Sequence, residues 1–129
     1  MILIVTLNPL LERRFTYQKI NIGSVNRGAM TTISAGGKGI NVSRQLKKLG
    51  TKSFNYLFSG GNDGKIYREV LKKEGLDFSF VATKSETRNA AVIISEQEKS
   101  VTSFFSQNSN ILPNEVEEFK SKLDKMIQN

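Results

Sequence analysis

The sequence predicts an α/β fold, in which a small parallel sheet with flanking helices carries an accessory β-sheet lid. Two glycine-rich loops are each followed by a helical pattern, and these patterns end at Gly50 and Gly75. Two further segments alternate apolar and polar residues on either side of a turn, which is typical of hairpins with one wet face. Strands that alternate with helices favour a parallel sheet, whereas the polar hairpins indicate an antiparallel accessory sheet.

Three short apolar runs have the length of core strands. The first covers residues 2–6 and stops before Asn8-Pro9, because the residue before a proline is driven out of helical geometry. The second covers about 53–58 and the third about 78–82. The helices are expected between these strands and after the third, so each strand feeds a crossover to the next.

The two lid hairpins are expected at about 12–34 and 88–107. In the first, alternation continues on both sides of Gly23-Ser24, so the turn is predicted there. In the second, the polar stretch 96–99 separates two apolar runs. Both hairpins are expected to be half-wet, as a lid over a binding site would be.

The last segment reads as an amphipathic helix behind Pro113-Asn114, with Glu117 placed to complete a capping box from Asn114. No strand pattern follows this helix in the sequence, and three core strands are few for a parallel α/β sheet. We therefore expect residues 1–129 to form the amino-terminal portion of a larger domain.

Composition limits the chemistry. The absence of both Cys and His excludes thiol nucleophiles, disulfides, imidazole bases and the usual zinc ligands, so no metal site is expected. No apolar run approaches the roughly 20 residues of a membrane helix. Met1 leads directly into a strand without a signal-peptide pattern, so a cytoplasmic location away from membranes is expected. The formal net charge of +7 suits a polyanion or a small phosphorylated ligand.

Three polar loops are expected where open parallel sheets bind ligands, beyond the carboxyl ends of strands, at residues 8–12, 36–41 and 60–64. The second is not a P-loop, because glycine rather than Ser or Thr follows Lys38. Its glycines let backbone amides at a helix start approach a hydroxyl or an anion. On spacing alone, a tight turn before a helix explains these glycines equally well.

Several motifs follow one another in a characteristic order: Thr6-Leu7-Asn8-Pro9 with an acid close behind, Val25-Asn26-Arg27, and Ala35-Gly36-Gly37-Lys38-Gly39-Ile40-Asn41-Val42-Ser43. Together they resemble the amino-terminal signature of phosphofructokinase B-type sugar kinases in the ribokinase superfamily. The stretch Glu86-Thr87-Arg88-Asn89 is similar to the version in fructose-1-phosphate and tagatose-6-phosphate kinases. The resemblance covers nearly the whole chain and implies a partial ribokinase-like sheet with a β lid.

The resemblance also implies a set of sugar-phosphate-binding residues. The family's sugar-contacting acid falls on Glu12, its glycine-loop contacts on Gly36, Gly37, Lys38 and Asn41, its phosphate-binding arginine on Arg88, and a further lid cation on Arg27. An arginine fork binds two phosphate oxygens together, so such cations favour a phosphorylated sugar over a neutral one. Without the resemblance, solubility explains the two arginines, and local backbone bonding explains the asparagine.

The sequence departs from the family pattern in two respects. Position 12 is normally aspartate, and Glu12 extends the carboxylate by about 1.5 Å. The family's nucleotide pocket and its catalytic aspartate in a Gly-Ala-Gly-Asp-like motif have no counterpart before Asn129. The resemblance thus implies ATP and Mg²⁺ as requirements of the intact enzyme, with neither bound by this chain alone and no catalytic residue within it. We expect the chain by itself to be inactive.

Two other functions stay open. A noncatalytic remnant that forms a homodimer through its lid strands is one, since exposed strand edges invite pairing. A basic nucleic-acid-binding domain is the other, but the aromatic residues lie in strand patterns that suit a core or lid equally well, so no nucleic-acid partner is expected.

Overall fold

The computed structural model describes residues 1–128 and divides them between two sheets and three helices. In chain order the elements are β1 (Ile2–Thr6), β2 (Leu10–Tyr17), β3 (Met30–Gly36), α1 (Lys38–Lys48), β4 (Ser53–Gly60), α2 (Gly61–Lys73), β5 (Phe78–Thr83), β6 (Arg88–Ser95), β7 (Ser100–Phe105) and α3 (Pro113–Gln128). The α/β class predicted from the alternation of apolar runs and helical patterns is confirmed.

The core sheet is parallel throughout and has the order β1-β4-β5. Because side chains alternate along a strand, Leu57 of β4 faces α1 and α2, whereas Tyr56 and Phe58 face α3. On the α3 face, the Phe119 ring stacks on Tyr56 with 4.0 Å between centroids. The sheet is therefore covered on both faces, as parallel sheets require.

The second sheet is the lid and has the order β3-β2-β6-β7. Its two hairpins lie at 10–36 and 88–105, and each is antiparallel within itself. The prediction of a wholly antiparallel lid is wrong at one pairing, because β2 and β6 run parallel. Both strands leave the core sheet at the end of a parallel core strand, β2 after β1 and β6 after β5, so they start at the same rim and run in the same direction.

The connection between β2 and β3 is longer than predicted. Strand β2 ends at Tyr17 and β3 begins at Met30, whereas the alternation of apolar and polar residues predicted that both strands continue to a turn at Gly23-Ser24. The Asn26 side chain accepts a hydrogen bond from the Asn21 N–H (2.8 Å) and donates to the Asn21 carbonyl oxygen (3.0 Å). Such side-chain bonds to nearby backbone compete with strand pairing, which ends the hairpin early.

Helix α3 is capped two residues earlier than predicted. The Oε1 atom of Glu115 accepts from the Leu112 N–H at 2.9 Å, and its Oε2 accepts from the Lys84 N–H at 2.7 Å. Pro113 occupies the first helical position, so the third is Glu115 and not Glu117, which lies on the surface beside Lys120. None of the three helices described is long and apolar enough to cross a membrane.

Candidate functional site

The carboxyl ends of the core strands lie at one rim of the core sheet, and the lid strands β2 and β6 begin there. A hollow of about 300 Å³ opens there between the end of β1, the start of α1 and the start of β6. Its lining residues are Val5, Thr6, Leu7, Asn8, Lys38, Gly39 and Arg88. The structure thus brings Lys38 and Arg88, two of the predicted site residues, to the same concave surface.

The glycine loop packs closely against its surroundings. A Cβ atom on Gly36 would lie 3.2 Å from Oε1 of Glu12, and one on Gly39 would lie 2.1 Å from Oγ1 of Thr6. Gly37 has a φ of +114°, a backbone conformation that favours glycine. The buried Tyr67 hydroxyl donates to the Gly36 carbonyl oxygen at 2.5 Å, and burial raises the pKa of Tyr67. The loop is therefore held in one shape by contacts on several sides.

The start of α1 is left without a cap. Its N-cap residue Gly37 makes no side-chain cap hydrogen bond, and no acidic residue lies in the first turn. The other two helices differ, because Glu86 accepts from the Asp63 N–H at the start of α2 (2.7 Å) and Glu115 caps α3. The first N–H groups of a helix carry partial positive charge, so α1 directs unsatisfied donors toward the hollow.

Arg88 holds the corner between β1 and β2. Its Nε donates to the Pro9 carbonyl oxygen (3.3 Å) and its Nη2 to the Asn8 carbonyl oxygen (3.0 Å). The guanidinium also lies 5.6 Å from the Phe105 ring centroid. Its Nη1 has no hydrogen-bond partner among residues 1–128, and the residue as a whole lines the hollow.

The segment that delivers Arg88 is fixed to the end of β4. The Thr87 N–H donates to the Gly60 carbonyl oxygen, and the Gly60 N–H donates to Oγ1 of Thr87, both at 3.0 Å. Thr87 is buried, so water does not compete for these two bonds. The position of Arg88 at the rim follows from this double link.

Five predicted residues lie outside the lining of the hollow: Gly36 and Gly37, which belong to the adjoining glycine loop, and Glu12, Asn41 and Arg27. Glu12 lies against the glycine loop, but its Oε2 accepts from Nε (3.2 Å) and Nη2 (3.0 Å) of Arg14. Asn41 is exposed on α1, and its Oδ1 accepts from Nη1 of Arg44 at 3.0 Å. Arg27 is exposed in the connection between β2 and β3. Their roles in binding stay predictions.

Sequence reasoning assigned no role to Asp63, which connects helix α2 to the lid. Its Oδ1 accepts from Nη2 of Arg13 on β2 at 2.9 Å, and its Oδ2 accepts from Nδ2 of Asn89 on β6 at 2.8 Å. The one sequence feature that could have drawn attention to Asp63 is its position as an acidic residue in the first turn of the helix pattern after Gly60-Gly61. Its partners are distant in the sequence, so no local pattern could reveal them.

Thr6 was also missed as part of this rim. Its side chain is buried against Gly39, and its Oγ1 has no hydrogen-bond partner among the residues described. The carboxylates of Glu12 and Asp63 are each paired with an arginine. Within residues 1–128 no group of three or more acidic side chains is arranged to hold a metal ion.

Comparison with known proteins gives similar relatives over almost the whole chain. A tagatose-6-phosphate kinase from Staphylococcus epidermidis is 35% identical over 128 residues, which are 99% of this chain and 41% of the relative. A 1-phosphofructokinase from Borreliella burgdorferi is 34% identical over 130 residues, covering 100% of this chain and 41% of the relative. The chain therefore spans about two fifths of the length of these curated relatives.

Solved structures have the same arrangement of strands and helices. A possible 1-phosphofructokinase from Thermotoga maritima matches with a TM-score of 0.84 and 36% identity, over 94% of this chain and 39% of that one. Phosphofructokinase-2 from Escherichia coli, in complex with fructose-6-phosphate, matches with a TM-score of 0.88 over 96% of this chain and 41% of that one. At 22% identity, the second match supports the ribokinase-like fold alone.

The family model described as pfkB family carbohydrate kinase matches residues 8–129. That range contains the glycine loop, both lid hairpins and the segment that carries Arg88. The resemblance inferred from the motifs is confirmed, and the chain belongs to the pfkB family of carbohydrate kinases.

Proposed function

We propose that this chain is the substrate-binding and lid portion of a phosphosugar kinase, which in its intact form transfers the γ-phosphate of ATP to fructose 1-phosphate or tagatose 6-phosphate. One observation carries the proposal: the uncapped start of α1, Lys38 and Arg88 converge on a single hollow at the rim of the sheet. Family membership and the names of the relatives support the reaction class.

The donors at the hollow suit the phosphate that the sugar already carries. Lys38 supplies a mobile ammonium, Arg88 supplies a fixed planar donor, and the amides at the start of α1 supply short-range dipoles. A charged hydrogen bond contributes about 1.5–3 kcal/mol, before the cost of desolvating the cation is subtracted. Two such cations therefore select a phosphorylated sugar over the same sugar without phosphate.

The sugar hydroxyls need acceptors, and the glycine loop is the element against which they would lie. Glu12 is close enough to Gly36 to reach such a sugar, provided that its carboxylate exchanges Arg14 for the ligand. Asn41 would rotate away from Arg44 in the same way. Arg27 would reach the phosphate when its connection folds over the site, and these three contacts are proposals.

ATP and Mg²⁺ enter only with the rest of the family's domain. The chain spans about two fifths of its relatives, and no cluster of acidic side chains that could hold a metal occurs in residues 1–128. Phosphoryl transfer depends on a positioned base and on cations around the γ-phosphate. We therefore propose that this polypeptide binds the acceptor substrate and does not catalyse the transfer by itself.

A titration followed by NMR tests the proposal directly. Fructose 1-phosphate and tagatose 6-phosphate should shift the backbone amides of Thr6, residues 37–39 and Arg88, while fructose and tagatose shift them far less. The same preparation with ATP and Mg²⁺ should give no product above background. Shifts confined to other surfaces would refute the binding proposal, and measurable turnover would refute the proposed inactivity.

A second candidate is self-association through the lid. Exposed apolar side chains lie on the two outer strands of the lid sheet, among them Met30 and Ile33 on β3 and Val101, Phe104 and Phe105 on β7. Exposed edge strands of this kind invite pairing with another copy. Light scattering should then give a dimer mass for the wild type and a monomer mass for Phe104→Ser, whereas a monomeric wild type would remove this candidate.

A further inference from the structure

Three successive carbonyl oxygens at the glycine loop are bonded within the protein. The Ala35 carbonyl accepts from Nη2 of Arg44 at 2.5 Å, and the Gly36 carbonyl accepts from the hydroxyl of Tyr67, also at 2.5 Å. The Gly37 carbonyl accepts the first hydrogen bond of α1, from the N–H four residues further along, at 3.1 Å. The acceptors of this segment are therefore occupied by the protein itself.

The donors of the same segment lack such partners. The Gly37 N–H has no hydrogen-bond partner among residues 1–128, and the next three N–H groups belong to the uncapped first turn of α1. Ala35 and Gly36 are buried, whereas Gly37 is half-buried, so the loop comes to the surface at this residue. The loop thus presents hydrogen-bond donors to a ligand.

The direction of the first of these donors follows from Tyr67. A trans peptide directs its C=O and its N–H to opposite sides, and no peptide bond among the described residues is cis. The C=O between Gly36 and Gly37 points at the hydroxyl of Tyr67, a fully buried member of the core cluster. The Gly37 N–H consequently points away from the core.

Close packing limits where the glycine loop lies, but it restricts the direction of this peptide less. Glycine populates positive and negative φ about equally, so a peptide between two glycines rotates more freely than one between other residues. Gly37 has a φ of +114°. Among the residues described, Tyr67 is the only one whose side chain donates to the Gly36 carbonyl, so its hydroxyl selects the observed direction.

Gly37 lies at the edge of the hollow. The next two residues along the chain, Lys38 and Gly39, line it. A Cβ atom on Gly37 would lie 3.1 Å from Cγ2 of Thr6, which is also a lining residue. A ligand that fills the hollow is therefore adjacent to Gly37.

We propose that Tyr67 is a positioning residue for the substrate site: its hydroxyl fixes the peptide between Gly36 and Gly37, so that the Gly37 N–H donates to an oxygen of the bound sugar phosphate. That oxygen acts as an acceptor and belongs to the phosphate or to a sugar hydroxyl. Tyr67 itself does not touch the ligand, because it is buried beneath the loop. The inference rests on the proposed function and adds to it a residue on which binding depends.

A second buried tyrosine provides a matched control. Tyr56 and Tyr67 are both 0% exposed, and the Tyr56 hydroxyl donates to the Phe119 carbonyl oxygen at 2.9 Å. This bond lies on the α3 face of the core sheet, in a different cluster from the glycine loop. Removal of either hydroxyl leaves a buried carbonyl without its donor, so Tyr56→Phe and Tyr67→Phe should lower the urea midpoint to a similar extent.

Calorimetry with fructose 1-phosphate and tagatose 6-phosphate separates a positioning role from a structural one. We expect Tyr67→Phe to weaken binding at least about fivefold, and Tyr56→Phe to weaken it less than about twofold. A structural role alone would lower both stabilities and leave the two affinities alike. Equal affinities of the two variants would therefore overturn the proposal.

The direction of the Gly37 N–H in the free protein is an independent readout, measured as its residual dipolar coupling. This coupling should change in Tyr67→Phe and stay at the wild-type value in Tyr56→Phe, while the amides of β4 keep theirs in both variants. An unchanged Gly37 coupling in Tyr67→Phe would overturn the proposal, because another contact would then fix the peptide.

The wild type alone keeps the proposal falsifiable if Tyr67→Phe does not fold. Its Gly37 amide proton should move downfield when fructose 1-phosphate binds, as a new hydrogen-bond donor does, and an unmoved proton would overturn the proposal. A downfield shift with inorganic phosphate assigns the acceptor to the phosphate, whereas a shift that requires the sugar assigns it to a hydroxyl. A wild type that binds no sugar phosphate would refute the proposed function and the Gly37 donor with it, a result distinct from equal binding by the two variants.

Discussion

At the scale of single residues, the glycine loop owes its composition to close packing as well as to backbone freedom. Gly39 is helical and has an ordinary φ, yet a Cβ atom there would lie 2.1 Å from Oγ1 of Thr6 and 3.0 Å from Cγ2 of Ile4. Gly37 does require its conformation, with φ at +114°. The start of α1 can therefore approach the end of β1 closely enough to form the hollow.

Replacing Gly39 with alanine should displace the start of α1. Overpacking of this kind typically costs about 1–3 kcal/mol, and urea unfolding of Gly39→Ala measures it. In a Thr6→Ala background the obstructing side chain is shortened, so the same substitution should cost less. Equal costs in the two backgrounds would show that the contact with Thr6 does not determine the choice of glycine.

Tyr67 supplies the pH-dependent contribution to this loop. Its hydroxyl is buried and donates to the Gly36 carbonyl oxygen, and burial raises its pKa above the ordinary value of 10.0. The unfolded chain therefore loses this proton at lower pH than the folded chain does. The resulting stability is fully present below about pH 10 and is lost as the pH rises toward the folded-state pKa.

Tyr67→Phe should consequently have two effects. At neutral pH it leaves a buried carbonyl without its donor, at a cost of about 1–3 kcal/mol. Above about pH 10 the free energy of unfolding should fall less steeply than in the wild type, by up to about 1.4 kcal/mol per pH unit. Denaturant titrations between about pH 8 and pH 11 check both effects, and parallel pH profiles would contradict the assigned role of the hydroxyl.

At the scale of elements, the sequence predicted most of the helices and core strands. Apolar spacing located α1, α2 and α3 to within a few residues, since glycines end the first two and a proline begins the third. It did not predict the parallel pairing of β2 with β6, because pairing depends on where each strand leaves the core. The early end of the first hairpin depends on side-chain bonds of Asn26 that strand alternation does not reveal.

The attachment of the lid to the core is an element-scale feature that rests largely on Asp63. Its carboxylate is 14% exposed and bonds to one residue on each of two lid strands, Arg13 and Asn89. Because the Arg13 side chain is 35% exposed, water weakens the ion pair between Arg13 and Asp63. The lid is thus held to α2 by a charged, partly buried link.

Asp63→Ala should loosen this link and destabilise the protein by about 1.5–2 kcal/mol, the lower part of the range for charged hydrogen bonds. Backbone amides of β2 and β6 should exchange faster, while those of β4 stay protected. The control is Glu117→Ala, which breaks an exposed pair with Lys120 on α3 and should cost at most about 0.5 kcal/mol. If the amides of β2 and β6 exchange at the same rate in Asp63→Ala as in the wild type, strand pairing alone positions the lid.

At the scale of the whole molecule, the fold positions a cationic hollow at the rim of the core sheet. The family signature predicted that Lys38 and Arg88 belong to one site, and both line the hollow. The signature did not predict which way the side chains of Glu12, Asn41 and Arg27 point. The carboxylate of Glu12 is bonded to Arg14 and the amide of Asn41 to Arg44, and a family motif does not reveal such contacts. Motifs thus identify which loops form the site, whereas the hydrogen-bond partners of each side chain in those loops depend on the tertiary structure.

Isothermal titration calorimetry tests the central claim most directly, by comparing fructose 1-phosphate and tagatose 6-phosphate with their unphosphorylated sugars. We predict that the phosphorylated ligands bind at least about tenfold more tightly, and that Arg88→Gln or Lys38→Gln removes most of this preference. Lys72→Gln, an exposed lysine on α2, should leave it unchanged. Equal affinity for phosphorylated and unphosphorylated sugars, or a preference that survives both substitutions, would contradict the account.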